Sequence, residues 1–413
     1  MDTNDGRIII NSIDMKIGIL TYFEGANFGM NLQAYTSSLY FASLGHDVWV
    51  LNYSKDKREC DYSYCDKQQV PAHKAFVSQR LHLTERLSQN ELLSFVRDKQ
   101  FDVIAFGADA IWNKRDRVNL SVYTAQWLNG LEKQNEIKRR LKVIGLSPAF
   151  MGTSYSDLTD EERLAFKEGI LNFTYPNVRD EWTREIVNRE IMGSDCIKTI
   201  NPDPVFLLNN LCVDRWEPIW NDIQSKKYYL ISLSYSRSNN LSSAKRKWLK
   251  RLKVIVNAKG YKLVEIPLPE GTCGYDGFDH TIPYPIDPLQ WFLWLKNAKG
   301  YIGLRFHAVV SCISSGTPFY SLDIYGNVPR WLNYLNRLGF HKYDRVLNKR
   351  SKIRNLLEGS GLEDYRMNGA YVHRLNPEKL INKLESCNID KIIAFRDINV
   401  AVFKQNMTEA LSN

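Results

Sequence analysis

The chain has 413 residues, 44% of them hydrophobic and 24% charged, which is the balance of an ordinary globular protein and excludes a disordered or fibrous one. That length is too great for a single core, so two domains are expected. A formal net charge of +9 favours acidic partners: an anionic substrate, a phosphorylated carrier, or the inner face of a membrane touched peripherally.

No apolar run approaches the roughly 18–20 residues that span a bilayer. The opening MDTNDGRIIINSID lacks the layout of a signal peptide, so a cytoplasmic protein is expected. Basic residues are scattered, and the clusters Lys245 to Lys253 and Lys349 to Arg354 read as helix faces, so no nucleic-acid partner is expected. The cysteines (Cys60, Cys65, Cys196, Cys212, Cys273, Cys312, Cys387) are dispersed without a CxxC, which predicts reduced thiols rather than zinc ligands or disulfides.

Residues 1–14 read as a tail. Lys16 to Leu20 is the first strand, followed by a loop to Gly29, a helix from about Asn31 to Leu44, and a second strand, Asp47 to Tyr53. Such a βαβ unit puts the loop at the carboxyl end of a strand. The loop is neither GxGxxG nor a Walker A sequence, so it indicates no dinucleotide or ATP. Gly25 and Gly29 would let a ligand approach the backbone, and Asn27 and Asn31 could bond its hydroxyls; a plain tight turn fits equally. Residues 54–70 read as a polar, irregular insertion, and Val70 to Lys99 as helix. The strand Phe101 to Phe106 runs into a small-residue turn holding Asp109, which would cap a helix or take a proton from a substrate hydroxyl. The strand Leu141 to Leu146 and the helix Thr159 to Leu171 follow. Phe173 to Val178 leads into Arg179 and the helix Trp182 to Met192. After a short strand, Ile197 to Ile200, the pattern breaks, and the domain boundary is placed near 205–225.

The second half repeats the style. Strands are expected at Tyr228 to Ser234, Tyr261 to Pro267, Tyr301 to Leu304 and Phe319 to Leu322. Between them lie the polar stretch Tyr235 to Asn240 and a basic amphipathic helix, Ser242 to Ala258. A Gly- and Pro-rich loop at 268–287 is expected at a cleft mouth. The helix Asp287 to Asn297 carries Trp291, Phe292 and Trp294 as core residues, and a buried helix spans Ala308 to Ile313. Further helices are expected at Trp331 to Leu338, Pro377 to Ser386 and Asp390 to Leu411.

Arg305 and His307 stand where the strand Tyr301 to Leu304 meets a helix amino terminus, a place that favours anions. If that corner is extended, the two share one face roughly 6–7 Å apart. A fixed guanidinium and a titratable imidazole there suit an anionic substrate that needs a proton. Equally, Arg305 would pair with a nearby carboxylate and His307 would be structural. The fold class expected is α/β, with two Rossmann-like domains (15–210 and 211–375) facing across a cleft and the helices of 376–413 packing back on the first.

Several segments, taken together, resemble the polysaccharide pyruvyl transferase family: KIGILTYFEGANFGMNLQAY from Lys16, FGADAIWN from Phe106, NVRDEWTREIV from Asn177, PDPVFLL from Pro202, and GLRFHAVVSCISSGTPFYSLD from Gly303. They occur in the family's order over about residues 16 to 340. Ala108 and Ala110 stand where serine and glutamine are frequent, and Arg305 stands where serine is common.

The resemblance implies a GT-B-like architecture and transfer of pyruvate from phosphoenolpyruvate to a sugar as a cyclic ketal, with phosphate released. It implies no metal and no cofactor beyond phosphoenolpyruvate as donor substrate. The acceptor expected is a glycan of a surface polysaccharide, such as a galactose-bearing, lipid-linked precursor. Arg179 and Arg305 would bind the donor's carboxylate and phosphate as forks, with Phe306, Asn27 and Gly29 also at the substrate. His307 would protonate the methylene carbon and Asp109 would accept the hydroxyl proton. A GT-B glycosyltransferase using a nucleotide sugar is the alternative.

Overall fold

The computed structural model describes residues 14–113, 120–133, 141–233, 241–323 and 351–412. The expected tail before Asp14, the stretch Tyr235 to Asn240 and the helix Trp331 to Leu338 lie outside the described residues.

Two parallel sheets form the two halves. The first contains β1 (Lys16–Leu20), β2 (Asp47–Val50), β3 (Val103–Gly107) and β4 (Lys142–Leu146) in the order β2-β1-β3-β4. A two-stranded sheet, β5 (Asn177–Val178) with β6 (Thr199–Ile200), extends this half, joined to β4 through the parallel bridge Ile144–Tyr175. The second sheet contains β7 (Tyr228–Ser232), β8 (Lys262–Glu265), β9 (His280–Thr281), β10 (Gly300–Gly303), β11 (Phe319–Asp323) and β12 (Arg366–Asn368), in the order β12-β11-β10-β7-β8-β9. Pairing is parallel throughout, and the central strands are buried runs rich in Ile, Val, Leu and Phe, as sheets covered by helices on both faces require. In each sheet the strand order reverses once, between β1 and β3 and between β10 and β7. Those reversals open the crevices in which α/β proteins hold ligands.

Local chemistry sets the helices. Asn27 caps Phe28–Ser43, its Oδ1 accepting from the N–H groups of Gly29 and Met30 at 3.0 and 3.3 Å. Asp287 caps Pro288–Asn297, with proline at the first helical position. Gly316, at φ 70°, stops Phe306–Ser315. The helix expected over Val70 to Lys99 is instead two, Val70–Arg80 and Gln89–Asp98. Leu81, Leu83 and Leu87 alternate rather than follow a helical face, and this connection runs beside β2 through the bridges Val50–Leu83 and Tyr53–Leu87. Ser88 and Glu91 then restart the helix with a capping box.

The halves share one apolar core. Phe28 stacks on Trp291 with centroids 4.9 Å apart, and Gln69 exchanges two hydrogen bonds with the backbone of Ile286. The last helix, Ile389–Ser412, returns to the first half. Asn406 donates to the carbonyl of Ile200, Tyr175 donates to Glu409, and Phe403 meets Tyr40 edge-on. Among the described residues no helix is long and apolar enough to cross a membrane.

Candidate functional site

A cleft of about 860 Å³ opens between the carboxyl ends of the two sheets. Its first wall comes from the loops after β1, β2 and β3: Thr21 to Glu24, Asn27 to Met30, Tyr53 to Lys55, Arg58 to Asp61, and Asp109. Its second wall comes from Leu268 to Glu270, Leu304 to His307, Asp323, and Ser351 to Ile353. The loops after β1, β3 and β10 belong to strands that flank the order reversals.

Beneath the cleft lies a buried charge network. Asp203 caps the turn Pro204–Leu207 by accepting from the N–H of Val205 at 3.1 Å. Its other carboxylate oxygen lies 3.3 Å from Arg179 Nη1 and 3.5 Å from His307 Nε2. Arg179 Nη1 also stands 3.6 Å from Asp109 Oδ1, and Nε stands 4.0 Å from Asp180. Burial works against ionisation of Asp203, but the hydrogen bond and charge of His307, with the charge of Arg179, outweigh it and hold the carboxyl at about 2. Asp109 is held low in the same way: burial opposes its charge, and His307, Lys352 and Arg179 overcome that opposition. Both carboxylates are therefore ionised at neutral pH.

The structure brings His307, Asp109, Arg179 and Phe306 together, but in an arrangement different from the expected one. The helix begins at Phe306, so the corner is not an extended stretch with Arg305 and His307 on one face. His307 lies in the first helical turn, against Gly29, where a Cβ would come within 1.9 Å of its Nδ1. Gly29 lines the cleft and also seats the imidazole. Asn27 lines the cleft but spends its Oδ1 on the helix cap. Asp109, at φ 70°, caps no described helix; its carboxylate meets Arg179 instead. Arg179 does not line the cleft. It is buried under Phe306, 4.9 Å from that ring, with Nη2 unpartnered among the described residues. Arg305 does line the cleft and is hydrogen-bonded to Glu270. Both arginines expected to grip an anion therefore already face carboxylates.

Sequence reasoning passed over Asp203, Glu270 and Lys352. Lys352 lines the cleft with its Nζ 5.6 Å from the Phe306 ring, so that ring lies close to two cations. Asp323, at the end of β11, accepts from Ser351 and from Arg366, which fixes the residue before Lys352. A signal existed for Asp203, because it lies inside PDPVFLL, where an acid between two prolines precedes a buried turn. The insertion at 54–70 contributes Lys55, Arg58 and Tyr64 to the first wall. Glu24 in the loop after β1 is braced by a two-pronged bond from Arg86 at 2.7 and 2.9 Å. Tyr22, Tyr53 and Tyr123 form an edge-to-face group lining the same wall, with centroids 5.1 and 5.9 Å apart. Among the described residues, no three His, Cys, Asp or Glu side chains are arranged to hold a metal ion.

An aromatic wall with a few charged groups at its base suits a ligand that is part sugar ring and part anion. A family model described as polysaccharide pyruvyl transferase matches residues 27–325. No curated protein matches the chain in sequence. Among solved structures, a protein from Listeria monocytogenes assigned as a UDP-N-acetylglucosamine 2-epimerase is similar in fold, with TM-score 0.54 and 11% identity over 93% of this chain and 91% of that one. The glycosyltransferase SnogD from Streptomyces nogalater is similar with TM-score 0.50 and 12% identity, over 97% and 100%. At such identities the likeness shows the fold: two Rossmann-like domains facing across a cleft, GT-B-like.

Proposed function

Since the chain belongs to the polysaccharide pyruvyl transferase family, we propose that it transfers pyruvate from phosphoenolpyruvate to two hydroxyls of one sugar, forming a cyclic ketal and releasing phosphate. The observation that carries this reading is a cleft at the carboxyl ends of both sheets lined by His307, Asp109 and Lys352, with Asp203 and Arg179 buried beneath it.

The reaction needs a proton on the methylene carbon of the enol ester, which becomes the methyl group. The central carbon gains cation character and is attacked by a sugar hydroxyl, which loses its proton. The C–O bond to phosphate then breaks, phosphate departs with the bond pair, and the second hydroxyl closes the ring and gives up its own proton. His307 is the proton carrier in this scheme. Its Nε2 is buried and turned to Asp203, so Nδ1, on the Gly29 side, is the nitrogen left to serve the substrate. Asp203 is a positioning residue that fixes the ring through Nε2. Asp109, ionised and at the cleft surface, orients the acceptor hydroxyl and takes its proton.

Binding a multiply charged donor requires positive charge at the cleft surface. Arg179 lies beneath that surface with its charge offset by Asp109 and Asp203. Lys352 and Arg305 both line the cleft on the His307 side, so Lys352 is assigned to the donor anion. Arg305 reaches the same anion once Glu270 releases it. The tyrosines of the first wall face the sugar.

The test is to incubate the protein with phosphoenolpyruvate and a panel of free and lipid-linked galactosides, glucosides and mannosides. Phosphate release together with a ketal-bearing sugar in the mass spectrum is expected. Consumption of a UDP-sugar in place of phosphoenolpyruvate would sink the reading in favour of a glycosyltransferase.

A further inference from the structure

The helix Ser243–Ala258, between β7 and β8, takes no part in the cleft chemistry. Trp248, Leu249, Leu252 and Val256 bury one face of it, and Trp248 donates to the carbonyl of Leu375 at 2.8 Å. The opposite face exposes Arg246, Lys247, Lys250 and Arg251, and beside them Val254, which is 63% exposed. Lys247, Lys250, Arg251 and Val254 follow the i, i+3, i+4, i+7 spacing of one helical stripe.

Among the described residues, the acids that neutralise this helix sit toward its far end. Asp279 lies 3.3 Å from Lys253, and Glu385 lies 2.7 Å from Lys259. Among the described residues no acid pairs with Lys247, Lys250 or Arg251. The first turn holds no acid either, although the positive end of the helix dipole favours one there, so the cations gather at some cost to helix stability. The exposed Arg374 and the half-buried Lys245 extend the same positive region. Burial and these two charges together push the His373 imidazole down.

Topology starts this helix on the side of the second sheet where the cleft lies, and the patch runs back from there along the helix. The strands β7 and β8 are parallel, so the helix joining them runs back and begins at the carboxyl end of β7. There Ser232 pairs with Gly303, next to the corner that carries His307. A surface that is basic and carries an exposed aliphatic side chain matches a bilayer interface in charge and polarity.

We propose that the face formed by Arg246, Lys247, Lys250, Arg251 and Val254 docks the protein on an anionic lipid bilayer. This does not depend on the reaction the cleft performs. The experiment is co-sedimentation of the full chain with vesicles of phosphatidylcholine and phosphatidylglycerol, against vesicles of phosphatidylcholine alone. Binding only to the anionic vesicles, weakening as salt is raised, is expected. The variant Lys247→Glu/Lys250→Glu/Arg251→Glu is expected to bind on the order of a hundredfold more weakly or worse, given the worth of each basic residue at such a surface. The variant Lys247→Gln/Lys250→Gln/Arg251→Gln should lose less, and its melting temperature, compared with wild type, checks the fold. Wild-type protein indifferent to anionic lipid overturns the proposal, as do folded variants that bind the vesicles as wild type does. Binding of duplex DNA through the same residues, without vesicle binding, reassigns the face and overturns it too.

Discussion

Two histidines pack against the same turn of the helix Phe28–Ser43 and meet opposite surroundings. His73 sits 4.9 Å from the Phe28 ring and contacts Asn31 Oδ1 through Nδ1 at 2.5 Å, with its Nε2 buried and unpaired among the described residues. Burial alone pushes its imidazole down to about 3. His307 meets the turn from the other half of the molecule, at Gly29, with Asp203 behind it and Asp109, Arg179 and Lys352 around it. One ring is held neutral in an apolar setting; the other is set among ions at a cleft. Proximity to the loop after β1 does not by itself mark a functional histidine. In the proposed reaction the buried carboxylate behind His307 makes that distinction.

The largest effect should separate the two rings outright. His307→Ala is expected to lower pyruvyl transfer by about 10²–10⁴-fold, the worth of a positioned proton donor, while the protein stays folded. Phosphate release in single turnovers checks the first part and far-ultraviolet circular dichroism the second. His73→Ala should do the reverse, with the folded fraction keeping its turnover. If His73→Ala abolished turnover in a protein that remained folded, the division between the rings would collapse. Next comes Asp203→Ala, which strands Arg179 and His307 without their shared carboxylate. Breaking a buried ion pair on one side costs about 3–5 kcal/mol, so a urea melt should show a loss of that order. Asp203→Asn should keep more stability and still impair transfer, because an amide holds Nε2 without holding the charge.

The pH dependence sharpens the comparison further. The His73 imidazole has a folded value of about 3 against an unfolded value near 6.5, so on acidification the unfolded chain takes up the proton first. Its contribution to stability is complete above about pH 6.5 and drains away as the pH falls toward 3, in total on the order of a few kcal/mol. Asp203, held at about 2, contributes in a lower window: its share is intact above about pH 4 and is lost as the pH falls through 2. Stability measured from pH 7 to 4 should therefore fall in the wild type and fall less in His73→Gln, which keeps a donor for Asn31 but cannot titrate. Parallel curves for the two proteins would remove His73 from the acid response.

Much of this was legible in the sequence. Alternation of short apolar strands with helices, and polar residues in small-residue turns at strand ends, pointed to the α/β halves and drew attention to Asp109, Arg179, Arg305 and His307. What stayed hidden was pairing. Asp203 lies in the first half of the chain and His307 in the second, and Glu270 lies in a loop whose composition pointed to a cleft mouth but not to a partner for Arg305. Nothing local states that Glu270 will meet Arg305, because that contact exists only after the chain has folded around it. The same holds for Arg179, whose charge suggested a ligand contact but whose guanidinium is taken by Asp109 and Asp203. Leu81, Leu83 and Leu87 misled for a different reason: leucines that suit a helix also suit an extended run beside β2, and tertiary pairing decided between them.

The smallest expected effect tests the charged side of the comparison without touching either ring. Lys352 belongs to a basic cluster that reads as a helix face, yet its Nζ stands over Phe306 and its charge lowers Asp109 across the cleft. If Lys352 offsets the donor's charge, Lys352→Met should raise the phosphoenolpyruvate KM by about tenfold, the loss expected when one charge-assisted contact disappears, with kcat changed less. Lys352→Arg should recover part of the affinity, since it restores the charge with a different reach. Removing Lys352 also removes a cation that favours the ionised form of Asp109, so the acid limb of the rate profile should move toward higher pH in Lys352→Met. A residue that merely braced the loop would lower the amount of folded protein and leave both KM and that limb in place.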